Sequence, residues 1–555
     1  MGRHPAPSAE LLNDPPRDLP DLLGRLARRD PSAVHALDAG PGGERIPVTS
    51  GDLDVRVRSL AVELAGARVV RGSCVAVWLP NWSDVLVWQF ATASLGAHVV
   101  GINTRYAVGE VTHVLQRARP VVVAVASGFH GLDLLATLQA AVRAADVPAP
   151  SVAVVAGPGQ PRAADLGAYD VGAGSWSPGP ADPAAAAVDP SDPDDLVAAF
   201  TTSGSTGRPK LAVHRGSAVV RHALADAAAI GLRPGHVVLC ALPLSGVFGF
   251  NTVMAALASG ATCLLVPVFD ADAVLDEMVE LGVTHVVGGD DLVLRLQNAW
   301  QARPRDLSAW QWCGLADFQG RAADLAAWAR HAFGTATSGV YGSSEVFALT
   351  SMWPADEPGP GRWDAGGRVA HPGIAVRTAD PVTGEQLGLG EEGELQFRGP
   401  NVVDAYLGDP EAATRAFTDD GWFCSGDLGV LLDEGAFVYV CRIGDALRLR
   451  GFLVDPAEIE LRLIEHDGVR VVKVVGIEAP DGATKAIAFV VPVEGSEPSS
   501  DELRQWCAAS LAAFKVPDAV YLVPELPTVS GPNGTKILTS TLREWARAGH
   551  PSASA

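Results

Sequence analysis

The stretch that most invites a chemical reading is TTSGSTGRPK, residues 201–210, which follows the apolar run LVAAF at 196–200. Gly204 and Gly207 can adopt backbone angles closed to other residues, so successive N–H groups can point into one concavity. Thr202, Ser203, Ser205 and Thr206 add hydroxyl donors, and Lys210 adds a positive charge. Such a loop suits a triphosphate; the competing reading is a solvated Ser/Gly turn. It is not a Walker loop, because that motif sets Lys-Ser/Thr directly after its last glycine and here Arg208 and Pro209 intervene. Three further positions carry chemistry-bearing side chains. Glu345 closes VYGSSE, a carboxylate beside a glycine turn and two hydroxyls; Asp427 sits in SGDLG; Lys536 follows Gly534 and Thr535 near the chain end. Taken alone, each reads as a solvated loop, turn or tail residue.

Composition bounds what these residues can serve. At 555 residues and 48% hydrophobic, the chain is long enough for one large core and a second domain. The 42 Lys+Arg against 64 Asp+Glu leave a charge of -22, which argues against a broad basic face for nucleic acid. Seven cysteines are scattered without a CxxC pair, so reduced thiols with no metal and no disulfide are expected. The opening MGRHPAPSAELLNDPPRDLP has no apolar core of signal-peptide length, and Ala6 breaks the myristoylation pattern. A soluble, cytoplasmic protein without a membrane span is expected.

The elements that must position these groups follow from periodicity. Runs rich in valine at 74–79, 121–125 and 151–155 read as buried strands, and 83–95 has helical period, so α/β layers are expected. Residues 157–195, rich in Pro, Gly, Ala and Asp, read as an exposed connection. Between 393 and 440 the texture turns to strands and hairpins. After 443 a helix (456–465), two strands (471–477 and 486–491) and a helix (500–512) suggest a compact second domain.

Five ordered segments resemble the adenylate-forming superfamily of acyl-CoA synthetases, aryl-CoA ligases, luciferases and peptide-synthetase adenylation domains. Besides the 201–210 loop these are GINTRY (101–106), VYGSSE (340–345), the run GELQFRGP to SGDLG (393–429), CRIGDALRLRGFLVDPAEIE (441–460), and FKVPDAV with LPTVSGPNGTKI near the end. The register holds from about residue 50 to residue 543. The resemblance implies a mixed α/β fold: a large N-terminal adenylation domain (15–441) of layered α/β subdomains with a β-rich subdomain, and a small, mobile α+β domain (442–545). It implies ATP, Mg2+ and CoA as cofactors, with Thr202 to Gly207 and Lys210 on the β- and γ-phosphates. Glu345 would hold Mg2+, Ser344 would meet the α-phosphate, and Tyr341 and Gly342 would flank the adenine. Asp427 and Arg442 would take the ribose. Lys536 would act at the reacting centre, and Asp445 and Arg448 would form a hinge about which the small domain swings between the two half-reactions.

Two segments depart from the pattern. In LPLSGVFGFN (242–251) Ser245 and Gly246 replace an aromatic residue and a histidine that border the acyl site in relatives. In CGLADFQG (313–320) Asp317 and Phe318 stand in the segment that runs along the adenine and substrate cleft. Gly246, Val247, Phe248, Asn251, Ser338 and Gly339 are the candidate acid pocket; the mixture does not name the acid. The leading expectation is an ATP-dependent acid:CoA ligase acting on a small-molecule acid. The departures keep a second outcome open, carrier-protein loading or activation of nitrite for diazotisation of an aromatic amine. A catalytically silent nucleotide-binding protein is a third reading, against which the joint presence of Lys210, Glu345, Asp427, Arg442 and Lys536 argues.

Overall fold

The computed structural model describes residues 14–160, 175–176, 191–202, 210–318, 320–354, 363–443, 447–449, 452–454, 456–478, 484–511, 515–531 and 534–549. The chain divides into two compact units, residues 1–376 with 397–423, and residues 377–396 with 424–555.

The first unit is built on two sheets. In one, the order Ala336–Tyr341, Trp312–Ala316, His285–Gly289, Val237–Cys240, Thr262–Leu265, Val34–Ala39 is parallel throughout, and Arg45–Thr49 closes it as an antiparallel hairpin strand. In the other, Leu196–Thr201, His98–Gly101, Cys74–Trp78, Val122–Ala126 and Ser151–Val155 are parallel, with Leu211–Arg215 turning back antiparallel on Leu196–Thr201. Strands such as Cys74–Trp78 and Val122–Ala126 are buried at every position, which is why they read as unbroken apolar runs rather than alternating ones. The expected helix at 83–95 is present as Ser83–Ser94. Asp38 starts it, accepting from Ser83 N at 2.8 Å and Ser83 Oγ at 2.5 Å and so satisfying donors that the N-cap Trp82 cannot. Ser175–Trp176, inside the stretch expected to be a connection, pairs with Val152 and Ala153 and adds a short edge strand.

Helix Val247–Ser259 is buried on all thirteen residues, the mark of a helix enclosed by other elements rather than laid on a surface. The chain enters it through a tight passage: a Cβ on Gly101, at the end of its strand, would lie 2.6 Å from Ser245 Cα. The backbone of the departing segment thus lies directly against GINTRY.

In the second unit Asp427–Asp433, within strand Phe423–Asp433, and Ala436–Arg442 form a long hairpin. The C-terminal part has Val469–Glu478, Thr484–Pro492 and Ala519–Leu522 as a three-stranded sheet with helices Pro456–Ile464 and Ser500–Ala508. Helix Ser500–Ala508 stops four residues short of the expected end, Leu511 N returning to Cys507 O in a turn, and a further helix, Thr539–Arg547, follows near the chain end. Val469, Val490, Leu503 and Cys507 are among the buried residues that close a separate small core there.

Candidate active site

In the first unit the sequence-derived candidates gather at the carboxyl ends of parallel strands. The strands ending at Cys240, Ala316 and Tyr341 lead to Ser245–Gly246, Asp317–Phe318 and Gly342–Glu345, and the second sheet's strand ending at Thr201 leads to the Ser/Gly loop. Such ends form the crevices in which open α/β sheets bind ligands.

Thr202 N donates to Lys210 O at 2.9 Å, pinning the mouth of the loop between its two antiparallel strands. Ser203, Gly204, Ser205, Thr206 and Gly207 lie outside the described residues. Ser344, buried, donates through Oγ to Thr201 O at 3.3 Å, tying the end of one sheet to the end of the other. Glu345 is half-buried, and its Oε1 accepts from Tyr406 OH at 3.4 Å. The same Tyr406 ring carries Lys210 Nζ 4.9 Å from its centroid. One aromatic side chain therefore holds the loop's cation on its face and the carboxylate at its hydroxyl.

The turn that presents Ser344 and Glu345 is held from beneath. His214 Nε2 meets Ser344 O at 2.7 Å, Asn401 Nδ2 donates to Val346 O at 2.7 Å, and Val403 N donates to Glu345 O at 2.6 Å. Gly342 is required: a Cβ there would lie 2.6 Å from Ala348 Cα and 2.7 Å from Leu349 N. Phe347 and Leu349 are left-handed, with φ of 58° and 56°. That conformation costs an L-residue roughly 1–2 kcal/mol. Full burial of a phenylalanine contributes about 1.5–3 kcal/mol and offsets it. The Phe347 ring sits among Phe200, His214, His222 and Phe250, with centroids 4.8–6.3 Å away.

Tyr341 is buried and stacked on Phe397, centroids 5.7 Å apart at 19°. Asp317 is exposed, and its Oδ1 accepts from Arg321 N at 3.0 Å and Ala322 N at 3.3 Å, so it supports the start of helix Ala322–Phe333. Phe318 is exposed too, its N–H donating to Asp290 Oδ1 at 3.3 Å. Gly246 is the N-cap of the enclosed helix, and Val247, Phe248 and Asn251 are buried along it. Asn251 donates to Asp226 Oδ2 at 2.5 Å and to Ala348 O at 3.1 Å. Ser338 and Gly339 are buried in the strand Ala336–Tyr341, where a Gly339 Cβ would collide with Asp364 O. A cavity of about 10 Å³, one water in size, is lined by Ser245, Gly101, Phe200 and Phe250 among others.

In the second unit Asp427 and Arg442 stand opposite each other across the hairpin, and Arg442 Nη1 donates to Asp427 Oδ1 at 2.6 Å. The aspartate side chain is 7% exposed and the arginine 42%. Ser425 Oγ accepts from Asp427 N and donates to Leu395 O, which fixes the carboxylate's backbone. Lys536 lies in the hairpin strand Gly534–Ile537, opposite Val529, and Arg448 in the strand Leu447–Leu449, opposite Leu453. Asp445 lies outside the described residues.

Tyr406, His214 and Asn401 went unread in the sequence. A buried histidine or asparagine has no periodic signature, and Tyr406 sits sixty-one positions from its partner Glu345, so pairing alone reveals it. Among the described residues no cluster of three or more His, Cys, Asp or Glu could hold a metal, and no helix is long and apolar enough to cross a membrane.

Comparison with known proteins bears on this arrangement. Residues 24–407 match the AMP-binding enzyme family and residues 458–531 the AMP-binding enzyme C-terminal domain. The chain is 30% identical to a methyl-dioxo-octahydro-indenyl-propanoyl:CoA ligase of Rhodococcus jostii, over 96% of this chain and 99% of that one. It is 33% identical to a feruloyl-CoA synthase of Amycolatopsis, over 94% and 97%. The ATP-bound crystal structure of MatB from Rhodopseudomonas palustris superposes with a TM-score of 0.80 at 25% identity, over 96% of this chain and all of that one. The two matched domains, the end-to-end relatives and the crevice joining Thr201, Ser344, Glu345 and Lys210 agree: the chain belongs to the AMP-binding family of adenylate-forming, ATP-dependent ligases.

Proposed function

We propose that the protein is an ATP-dependent acid:CoA ligase that works through an acyl-adenylate. The observation that carries the reading is the joining of Lys210, Tyr406, Glu345, Ser344 and Thr201 at the ends of two sheets, together with the Asp427–Arg442 pair in the second unit. In the first half-reaction a carboxylate oxygen of the acid attacks the α-phosphorus of ATP and pyrophosphate leaves. In the second the thiol sulfur of CoA attacks the acyl carbon, AMP leaves and the thiol proton is released.

The protein's part is positioning and charge compensation. Lys210 offsets phosphate charge, the Ser344 hydroxyl meets the α-phosphate, Asp427 accepts from the ribose hydroxyls, and Lys536 stabilises the α-phosphate and the incoming carboxylate. Mg2+, when bound, supplies further neutralisation. A single carboxylate, Glu345, fits it, since this ion is commonly held by one or two carboxylates with substrate phosphates and water completing the shell.

The test is pyrophosphate release from MgATP across hydroxycinnamic, polycyclic propanoic, fatty, amino and hydroxy acids plus nitrite, with and without CoA, followed by mass spectrometry. An acid that gives an adenylate and then a thioester is the expected result. An adenylate that CoA never consumes, or turnover with nitrite, would reject the CoA ligase reading while keeping adenylation. No release with any acid would reject both.

A further inference from the structure

We propose that a buried network of His222, Asp226 and Asn251 is a positioning device for the Ser344–Glu345 turn, holding from beneath the backbone that presents the nucleotide-binding groups. The proposal rests on the adenylation reading given above.

His222 and Asp226 are one turn apart on helix Gly216–Ala229, and Asn251 is on helix Val247–Ser259. None of the three is more than 3% exposed. His222 Nε2 lies 3.2 Å from Asp226 Oδ2, to which Asn251 Nδ2 donates at 2.5 Å. Both donors also converge on one acceptor beyond the helices, the carbonyl of Ala348, at 2.8 Å from His222 Nε2 and 3.1 Å from Asn251 Nδ2. Two helices pack more simply with apolar side chains, and buried polar groups are costly unless fully satisfied. Here both donors of the network are turned out of the helix pair onto the backbone of the turn. The network's geometry is directed at Ala348.

Ala348 is the point at which the turn can be held. It lies between the two left-handed residues Phe347 and Leu349, so relaxing either would rotate a peptide bonded to Ala348. Its N–H donates to Ser343 O at 3.0 Å, and its Cα is the surface against which Gly342 packs. His222 also meets the Phe347 ring edge-on, centroids 5.6 Å apart. A shift at Ala348 is thereby passed to Gly342 and Ser343, and from them to Ser344 and Glu345. None of the three network residues needs to touch substrate; they act through the turn.

Full-length His222→Leu, Asn251→Leu and the double variant remove the donors, and His222→Gln keeps one. Two readouts are taken on variants whose far-ultraviolet circular dichroism matches the wild type: amide hydrogen exchange across residues 343–350, and MgATP affinity by calorimetry without acid. If the double variant does not fold, Asn251→Leu, which leaves the His222 donor in place, decides. Loss of the donors is expected to speed exchange in 343–350 and to weaken MgATP about tenfold, with His222→Gln within about threefold of wild type. Unchanged exchange in a folded variant, or faster exchange with unchanged MgATP affinity, would overturn the proposal. A wild-type protein that does not bind MgATP sinks the adenylation reading instead, and the exchange comparison still decides whether the network holds the turn.

Discussion

Replacing Asp427 by asparagine separates binding from folding. The carboxylate is almost enclosed, but its partner Arg442 is 42% exposed, so solvent screens the pair. Its share of stability is then at most about 1 kcal/mol, and the melting temperature should fall by less than about 3 °C. The nucleotide should respond far more. A carboxylate accepting from ribose hydroxyls makes charge-assisted bonds of about 1.5–3 kcal/mol, and a carboxamide keeps the shape without the charge. MgATP affinity should therefore drop about 10- to 150-fold. The cause is isolated by repeating the calorimetry with 2′,3′-dideoxy-ATP, which completes a double-mutant cycle. Wild type should lose affinity for the dideoxy nucleotide by a similar factor, and Asp427→Asn should bind the two nucleotides within about threefold. If the variant discriminates against dideoxy-ATP as strongly as the wild type, the ribose assignment of Asp427 is wrong.

Four further outcomes are expected. Lys536→Ala should slow adenylation about 10²- to 10³-fold, the scale of one lost transition-state donor, and near-normal pyrophosphate release would remove the lysine from the mechanism. Tyr406→Phe should change the KM for ATP by no more than about threefold because its 3.4 Å bond to Glu345 is long, whereas Tyr406→Leu also loses the cation–π contact and should raise it about 5- to 30-fold; equal effects would discount the ring. Gly342→Ala should leave a folded protein with adenylation reduced at least about 100-fold, since its Cβ meets backbone 2.6 Å away, and full activity would mean that the turn is not the one used. Burial lowers the pKa of His98, His214, His222 and His285 to about 4, so each contributes stability that is whole above pH 6.5 and is lost as pH falls from there through 4. Burial raises Asp38 and Asp226, which act in the opposite sense, so the test compares urea midpoints at pH 7 and pH 5 for wild type and His98→Met. The variant should lose about 2 kcal/mol less between the two pH values, and parallel losses would show that His98 does not titrate in this way.

The second unit's strands and helices were legible because their signals are local. Val469–Glu478 and Thr484–Pro492 are apolar, β-branched runs bounded by turn residues, and Ser499 with Glu502 forms a capping box at the start of Ser500–Ala508. The loop at 201–210 suggested phosphate chemistry locally, because glycines, hydroxyls and a charge lie within ten residues of one another, whereas the turn at 340–345 took that reading only from the resemblance. The sequence by itself thus determined the layered α/β class, the order of the motifs and the residue types available for adenylation.

Tertiary structure alone decided how those groups are held. Ser344 reaches the carbonyl of Thr201 across 143 positions, and Lys210 and Glu345 meet on Tyr406, a residue with no local distinction. It placed Asp317 at a helix start, where it bonds helix amides, and enclosed Asn251 in the network beneath the turn. Periodicity and propensity report on a residue's near neighbours along the chain, whereas a hydrogen-bond partner at long separation is chosen only when sheets and helices pack.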